Sequence, residues 1–421
     1  MTCCGTLVSG AKIQAAATYA VTVRCAYRKL LLTPFVAQLH AWILYFLAEA
    51  VRRTGAILHH VTIEPNHIHV VVTVTIMNLP TFKRVFHGHV GKFVKKALVR
   101  HGFEAPDRVF GDDRSHQMRL VNAAAQLRFL HYADIQVVKD GLVEKVEHYP
   151  GFSSDPGMMA GASKTLARPP FGLNERLWPV SSELRFGVTP GLKRLIGTER
   201  AIYLLRKARA DAERTYAQAR TRPVLGAARI LAQHPWSEPA APRKERSGRP
   251  PTYMVVDDDE LEELCAREEA AFGEAHEAAR KRRLAGEDVK FPAGTYLMAV
   301  QHGARVEAPA EDAVLSVWET FDDVPELLSP EAREKIASAL REAARTVDED
   351  ALADDLATRL LATEGVTVDR RDSLDARGEA GRPKKVVTLR SAERARPTTP
   401  RTRATRDERP DDEPPDPTTD N

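Results

Sequence analysis

Hydrophobic and polar positions near the start of the chain follow two distinct periods. Thr18–Cys25 alternates β-branched with other residues, which predicts a strand. Residues 34–53 carry apolar side chains at helical spacing and predict an amphipathic helix. Two more strands are predicted at 56–63 and 67–74. The turn residues Glu64-Pro65-Asn66 lie between them, so the pair is predicted to form a hairpin.

Two further helices complete the patterned region. Residues 79–100 predict a basic helix, and residues 121–138 predict another. The order β-α-β-β-α-α, with antiparallel pairing through the tight turn, predicts an α+β fold. We expect helices on one face of a small antiparallel sheet.

Beyond residue 154 the pattern weakens. Residues 155–189 are rich in Pro, Gly and Ser, which is typical of a linker. Later segments are helical and highly charged, and the last segment is polar and rich in Pro and Arg, which is typical of disorder. The predicted division is an N-terminal segment 1–15, a patterned domain 16–154, a linker 155–189, a mainly helical accessory region 190–308, an acidic helical region 309–365 and a disordered tail 366–421.

Charge is distributed very unevenly along the chain. The 421 residues have a net charge of only +3. Residues 1–100 contain 12 Lys and Arg against 2 acidic residues, whereas residues 251–364 contain 12 against 28. Eleven of the 14 histidines precede Gly151. A basic, histidine-rich first part indicates an anionic ligand and a metal.

Composition excludes several classes of protein. Four cysteines without a CxxC pair do not form a disulfide scaffold or a zinc finger. The sequence has neither the apolar run of a membrane-spanning helix nor the apolar core of a signal peptide. We therefore expect a soluble, cytoplasmic protein.

Two short blocks carry candidate chemistry. His67 and His69 are two apart on a predicted strand, so both side chains face the same side and can chelate a divalent cation. Tyr132 and Gln136 are four apart on a predicted helix, where a phenol can attack a phosphodiester and an amide oxygen can add a metal ligand. Taken singly, each block is also typical of ordinary surface or core residues.

The two blocks in this order carry a resemblance to a known family. Asn66-His67-Ile68-His69 follows a proline, and about sixty residues later Tyr132 and Gln136 are followed by the stretch VVKDGLV at 137–143. This arrangement resembles the HUH single-tyrosine transposases, and most closely the REP-associated tyrosine transposases. The resemblance covers residues 16–154.

The resemblance implies a fold, a reaction and a set of site residues. It implies a ferredoxin-like antiparallel sheet with flanking helices. His67, His69 and Gln136 would bind a divalent metal, Mg²⁺ or Mn²⁺, and Tyr132 would cleave single-stranded DNA beside a hairpin through a 5′-phosphotyrosine. The protein would act as a monomer or a homodimer.

The sequence departs from the family pattern close to this site. Glu64 stands where an apolar residue is usual, and Val137 stands where proline is usual. Asp134 and Asp140 bring carboxylates close to the site, and Asp134 in particular is expected to weaken phosphate binding.

Basic residues in the patterned region suit the DNA backbone. The predicted DNA-binding residues are Arg24, Arg28, Lys29, Lys83, Arg84, Lys92, Lys95 and Lys96. Phe82, Phe86 and Phe93 interleave with the lysines and are expected either to stack on unpaired bases or to form the buried stripe of the helix.

Three alternatives remain open. The chain could be a DNA-binding regulator that keeps the fold without catalysis, or another HUH endonuclease such as a replication initiator. A nucleotide hydrolase with alternating histidines is disfavoured, because position 71 would then be a third histidine and is Val71.

Overall fold

The computed structural model describes residues 17–74, 79–111, 115–239, 251–295 and 303–307, which all fall within one compact unit. The strands are β1 (Ala17–Arg24), β2 (Ile57–Glu64), β3 (His67–Val74), β4 (His116–Leu120), β5 (Phe152–Ser153), β6 (Ala160–Ala167), β7 (Ser181–Gly187), β8 (Tyr253–Met254), β9 (Lys290–Phe291) and β10 (Arg305–Val306). The helices are α1 (Leu39–Thr54), α2 (Leu79–Arg100), α3 (Ala123–Asp134), α4 (Gln136–Lys139), α5 (Pro190–Ile196), α6 (Thr198–Ala219), α7 (Ala227–Leu231) and α8 (Asp259–Leu284). The predictions for 1–15, 309–365 and 366–421 lie outside the described residues.

The first four strands form an antiparallel sheet in the order β4-β1-β3-β2, with β-α-β-β-α-β connectivity. The hairpin predicted from the Pro65-Asn66 turn is confirmed, because β2 pairs with β3 and Glu64 lies opposite His67. Strands β7 and β6 extend the sheet beyond β2, and β8 extends it beyond β4. The hairpin strands thus lie at the centre of a wide sheet.

Helices cover both faces of this sheet, so the expectation of helices on one face was wrong. Ile68, Val70 and Val72 of β3 pack into a core with α1 and α2, whereas Val71 packs into a second core with α3, α5 and α6. The reason is visible in β3, whose eight residues HIHVVVTV are all buried. A strand whose side chains are buried on both faces has other elements packed on both.

The helix predicted over residues 121–138 is two helices preceded by a strand. Helix α3 begins after Asn122, whose side-chain oxygen accepts a hydrogen bond from the Ala125 amide at 3.0 Å. This capping contact satisfies a backbone donor at the helix start. The helix ends at Asp134, and Ile135 (φ −90°, ψ 4°) separates it from α4. Tyr132 and Gln136 therefore lie on two different helices.

Residues 155–189 contain a β-hairpin where their composition predicts a linker. Strands β6 and β7 pair antiparallel, and Leu58 of β2 bridges to Phe186 of β7. Trp178, Leu184 and Phe186 are buried in the same core as Phe46 of α1. Pro169, Pro170, Gly172 and Pro179 lie in the connection between the strands, and buried and exposed residues alternate along β7.

The later described residues are mainly helical. Helices α5 and α6 pack on α3 through the second core. Strands β9 and β10 form a small parallel pair beside α8. Among the described residues, no helix is both long enough and apolar enough to span a membrane.

Candidate active site

Three donor side chains meet where β2 turns into β3. One ligand atom from each of Glu64, His67 and His69 lies within 4.8 Å of the other two. All three residues are buried. The histidines share a face because they are two apart on β3, and Glu64 joins them because it pairs with His67 across the hairpin.

The two ring nitrogens of His67 have different partners. Nδ1 lies 2.7 Å from Oδ1 of Asn66, and an amide oxygen only accepts, so Nδ1 carries the proton. Nε2 lies 3.5 Å from Oε1 of Glu64. In the neutral ring Nε2 is an acceptor, and two buried acceptors that face each other form a place for a cation.

His69 presents a buried acceptor in the same place. Its Nδ1 lies 2.8 Å from the Thr22 hydroxyl, and its Nε2 has no hydrogen-bond partner among the described residues. Burial, together with the charges of Arg24 and His116, lowers the pKa of His69 to about 3. The ring is therefore neutral near pH 7, which is the form that binds metals.

Gln136 adds a further orphaned oxygen. It is the first residue of α4 and is 3% exposed, and its Oε1 has no hydrogen-bond partner within the described ranges. Buried polar atoms normally have partners, so an orphaned one leaves a place for a water molecule or a ligand. The imidazole nitrogens of His67 and His69 and the carboxylate of Glu64 form a donor set that fits a divalent cation.

Tyr132 lies against this group. Its ring centroid is 5.8 Å from that of His69, with the two rings almost perpendicular. The Lys139 ammonium lies 4.6 Å from the Tyr132 ring centroid, over the ring. The fold therefore brings the predicted nucleophile next to one of the predicted metal ligands, with a positive charge beside it.

A buried hydrogen-bond network fixes α3 to the sheet beneath the site. The Thr62 hydroxyl donates to the Ala133 carbonyl at 3.1 Å, immediately after Tyr132. The His60 Nε2 lies 2.8 Å from the same hydroxyl, and its Nδ1 lies 2.9 Å from Ser154 Oγ. Burial, with smaller effects of Arg209 and His69, lowers the pKa of His60 to about 3, so this ring is neutral as well.

Arg209 of α6 binds the carboxylate that lies between Tyr132 and Gln136. Its Nε donates to Asp134 Oδ2 at 2.7 Å and its Nη2 donates to Asp134 Oδ1, while its Nη1 donates to Asp155 at 2.8 Å. Burial raises the pKa of Asp134 to about 6, although Arg209 opposes this shift. Asp134 is 1% exposed and its charge is paired with Arg209; that it weakens phosphate binding stays a sequence prediction.

The predicted DNA-binding residues are spread over different parts of the molecule. Arg24 ends β1 opposite His67, and Lys29 pairs with Glu238 at 2.8 Å in the loop after β1. Lys83 donates to Gln117 of β4 at 2.8 Å. Helix α2 packs on the sheet face opposite to Tyr132, so its exposed residues Arg84, Lys92, Lys95 and Lys96 are not brought to the site.

Some sequence expectations at the site changed, and some residues were missed. Phe82, Phe86 and Phe93 are at most 2% exposed, so they form the buried stripe of α2 and cannot stack on bases.

Lys139 and Arg209 were missed because their roles depend on the break at Ile135 and on α6. Glu64 was noted only as a departure, although its spacing of three from His67 was the available signal.

Comparison with known proteins gives only distant likenesses, all of them among solved structures. No family model and no curated protein matches the chain. Among solved structures, the chain is similar to a REP-associated tyrosine transposase bound to a REP hairpin, with 18% sequence identity and a TM-score of 0.30. The match covers 37% of this chain and 86% of that one. A likeness this distant does not by itself assign a function.

Proposed function

We propose that the chain is a metal-dependent transposase that cleaves and rejoins single-stranded DNA through Tyr132. The observation that carries the proposal is the contact between the Tyr132 ring and His69, whose buried Nε2 has no hydrogen-bond partner among the described residues. A phenol beside an orphaned metal donor is the pair of groups that this chemistry needs. The proposed ligands are His67, His69 and Gln136, with Glu64 as an additional one.

The cleavage step follows from the roles of these side chains. The Tyr132 oxygen attacks the scissile phosphorus while the bond from phosphorus to the 3′ oxygen breaks. The phenol loses its proton, the 3′ oxygen gains one, and a 5′-phosphotyrosine forms. Lys139 places positive charge beside the attacking group. The proposed ligands would hold a divalent cation, which would stabilise negative charge on the phosphate.

Rejoining is the reverse of cleavage with a different strand. A 3′-hydroxyl attacks the phosphotyrosine, the bond from phosphorus to the Tyr132 oxygen breaks, and the phenol recovers its proton. One phosphodiester is exchanged for another, so no nucleotide hydrolysis is required.

The finer features of the proposal come from the sequence resemblance. They are a ferredoxin-like HUH domain spanning about residues 16–154, Mg²⁺ or Mn²⁺ as the metal, and single-stranded DNA beside a hairpin as the substrate. The strand order β4-β1-β3-β2 supports the first of these.

The deciding experiment is trapping of the covalent intermediate. The full chain is incubated with Mn²⁺ and single-stranded oligonucleotides taken from the DNA on both sides of its gene, and adducts are resolved under denaturing conditions. We expect an adduct with the unaltered chain and none with Tyr132→Phe, because only the attacking oxygen is removed. Tyr203→Phe, which alters a tyrosine that is 62% exposed on α6, is the matched control and should form the adduct.

Two results would count against the proposal. An adduct that persists in Tyr132→Phe would show that another residue is the nucleophile. Tight DNA binding without any adduct in the unaltered chain would favour the non-catalytic regulator.

A further inference from the structure

The loop after β1 is fastened to the turn that carries the candidate metal ligands. The Cys25 amide donates to the Asn66 carbonyl at 2.7 Å, and the Leu32 amide donates to the Pro65 carbonyl at 2.8 Å. Residues 25–32 are therefore held at both ends by the two turn residues that precede His67. Whatever this loop presents to solvent lies at the edge of the candidate site.

Two further segments form backbone contacts with the same loop. The Ala26 amide donates to the Val109 carbonyl at 2.8 Å, and Cys25 forms a bridge with Phe110. The Leu30 amide donates to the Ser237 carbonyl at 3.1 Å. The loop is thus a rigid support, because its backbone is bonded on several sides.

This rigid loop holds an aromatic residue in a strained and exposed position. Tyr27 and Arg28 have φ values of 55° and 56°, in the left-handed region that favours glycine. Two consecutive non-glycine residues in that region carry strain, which is retained mostly at functional sites. Tyr27 is also 55% exposed. Its ring therefore adds little to the burial of apolar surface that stabilises the fold.

The surroundings of Tyr27 suit a nucleic acid. The Arg108 guanidinium lies 5.4 Å from its ring centroid, and Arg28 follows it directly in the chain. Arg24 lies at the start of the same loop and acts electrostatically on His69. An exposed ring among arginines offers stacking to a base and charge to the adjoining phosphates.

We infer that Tyr27 is a stacking platform for an unpaired nucleobase next to the phosphate that enters the candidate active site. The inference rests on the proposed function, since it assigns a contact to the same DNA substrate. It gives the loop the stacking role, which was one of the two roles considered for the phenylalanines of α2 before their burial was seen. The strain at Tyr27 is then the cost of holding the ring at a fixed place beside the metal-ligand turn.

Binding without cleavage tests this inference. Fluorescence anisotropy measures the Kd of the full chain for a labelled dT oligomer and for an abasic oligomer of equal length, in chelator so that no cleavage occurs. We expect Tyr27→Gly to weaken binding of the dT oligomer about tenfold, as loss of one stacked base does. Binding of the abasic oligomer should not change, and Tyr27→Phe should bind both oligomers like the unaltered chain.

Glycine at position 27 also separates binding from folding. It relieves the left-handed strain, so the Tm of Tyr27→Gly should equal or exceed that of the unaltered chain. Tyr203→Ala, at another exposed tyrosine, is the control and should leave both Kd values unchanged. The inference is overturned if Tyr27→Gly binds the dT oligomer normally, or if it loses equal affinity for the abasic oligomer. The proposed function would survive either result, since it is tested by the Tyr132 adduct.

Discussion

At the scale of single residues, the site is defined by acceptor atoms that face one another. His67 donates from Nδ1 to Asn66, and its Nε2 faces the Glu64 carboxylate, as an acceptor when the ring is neutral. The His69 Nε2 is buried nearby without a hydrogen-bond partner in the described part of the chain. Buried acceptors are costly unless they are paired, so we propose that Glu64 is a metal ligand together with the two histidines.

Glu64 can be tested as a metal ligand independently of catalysis. Titration calorimetry with Mn²⁺ is carried out on chains that carry Tyr132→Phe. We expect Glu64→Gln to weaken Mn²⁺ binding by about tenfold or more, because it removes the negative charge and keeps the shape. Glu144→Gln, at an exposed glutamate, should bind Mn²⁺ like its parent. An unchanged Kd in Glu64→Gln would remove Glu64 from the ligand set.

At the scale of elements, the short break at Ile135 determines the geometry of the site. It places Tyr132 at the end of α3 and Gln136 at the start of α4, with Asp134 between them. Arg209 binds Asp134 through two nitrogens and Asp155 through a third. This contact fixes the segment that carries Tyr132 to α6, which lies far away in the sequence.

Replacement of Arg209 should therefore destabilise the fold. The side chain of Asp134 is 2% exposed, so Arg209→Met leaves a buried carboxylate without its partner. That change should lower the free energy of unfolding by roughly 3–5 kcal/mol in urea titrations. Arg214→Met, at a surface ion pair on the same helix, should cost less than about 1 kcal/mol.

A second substitution shows whether charge is the cause. Asp134→Asn removes the unpaired carboxylate, so the double variant with Arg209→Met should recover part of the lost stability. If Arg209→Met unfolds at the same urea concentration as the unaltered chain, the ion pair does not support α3.

Local patterns predicted some elements well and missed others. The alternating apolar residues around Pro65-Asn66 correctly predicted the hairpin and put His67 and His69 on one face. The break at Ile135 was missed because apolar residues continue across it at helical spacing. Strand β4 was missed because its five residues HQMRL show little alternation, and its place depends on pairing with β1. Non-local contacts of this kind leave no periodic signal.

At the scale of the whole molecule, the site depends on residues well beyond the predicted domain 16–154. Arg209 binds Asp134, and the Glu213 carboxylate accepts from the Val146 amide at 2.9 Å. The β6–β7 hairpin buries Trp178 against Phe46, with ring centroids 5.5 Å apart. Later segments thus pack on the basic first part of the chain and bind its buried charges. The domain boundary at 154 stays a sequence prediction, and these contacts do not favour it.

Two truncated chains compare these possibilities directly. A chain that ends after Glu307 retains all described contacts, whereas one that ends after Ser154 loses α6 and the β6–β7 hairpin and exposes the apolar surface that they cover. Because burial of such surface drives folding, only the longer chain should show a cooperative thermal transition and form the Tyr132 adduct. The measurements are circular dichroism during heating and the denaturing adduct assay. A chain ending at Ser154 that unfolds cooperatively at the same temperature as the longer chain would show that residues 16–154 fold independently and that α6 is only an accessory.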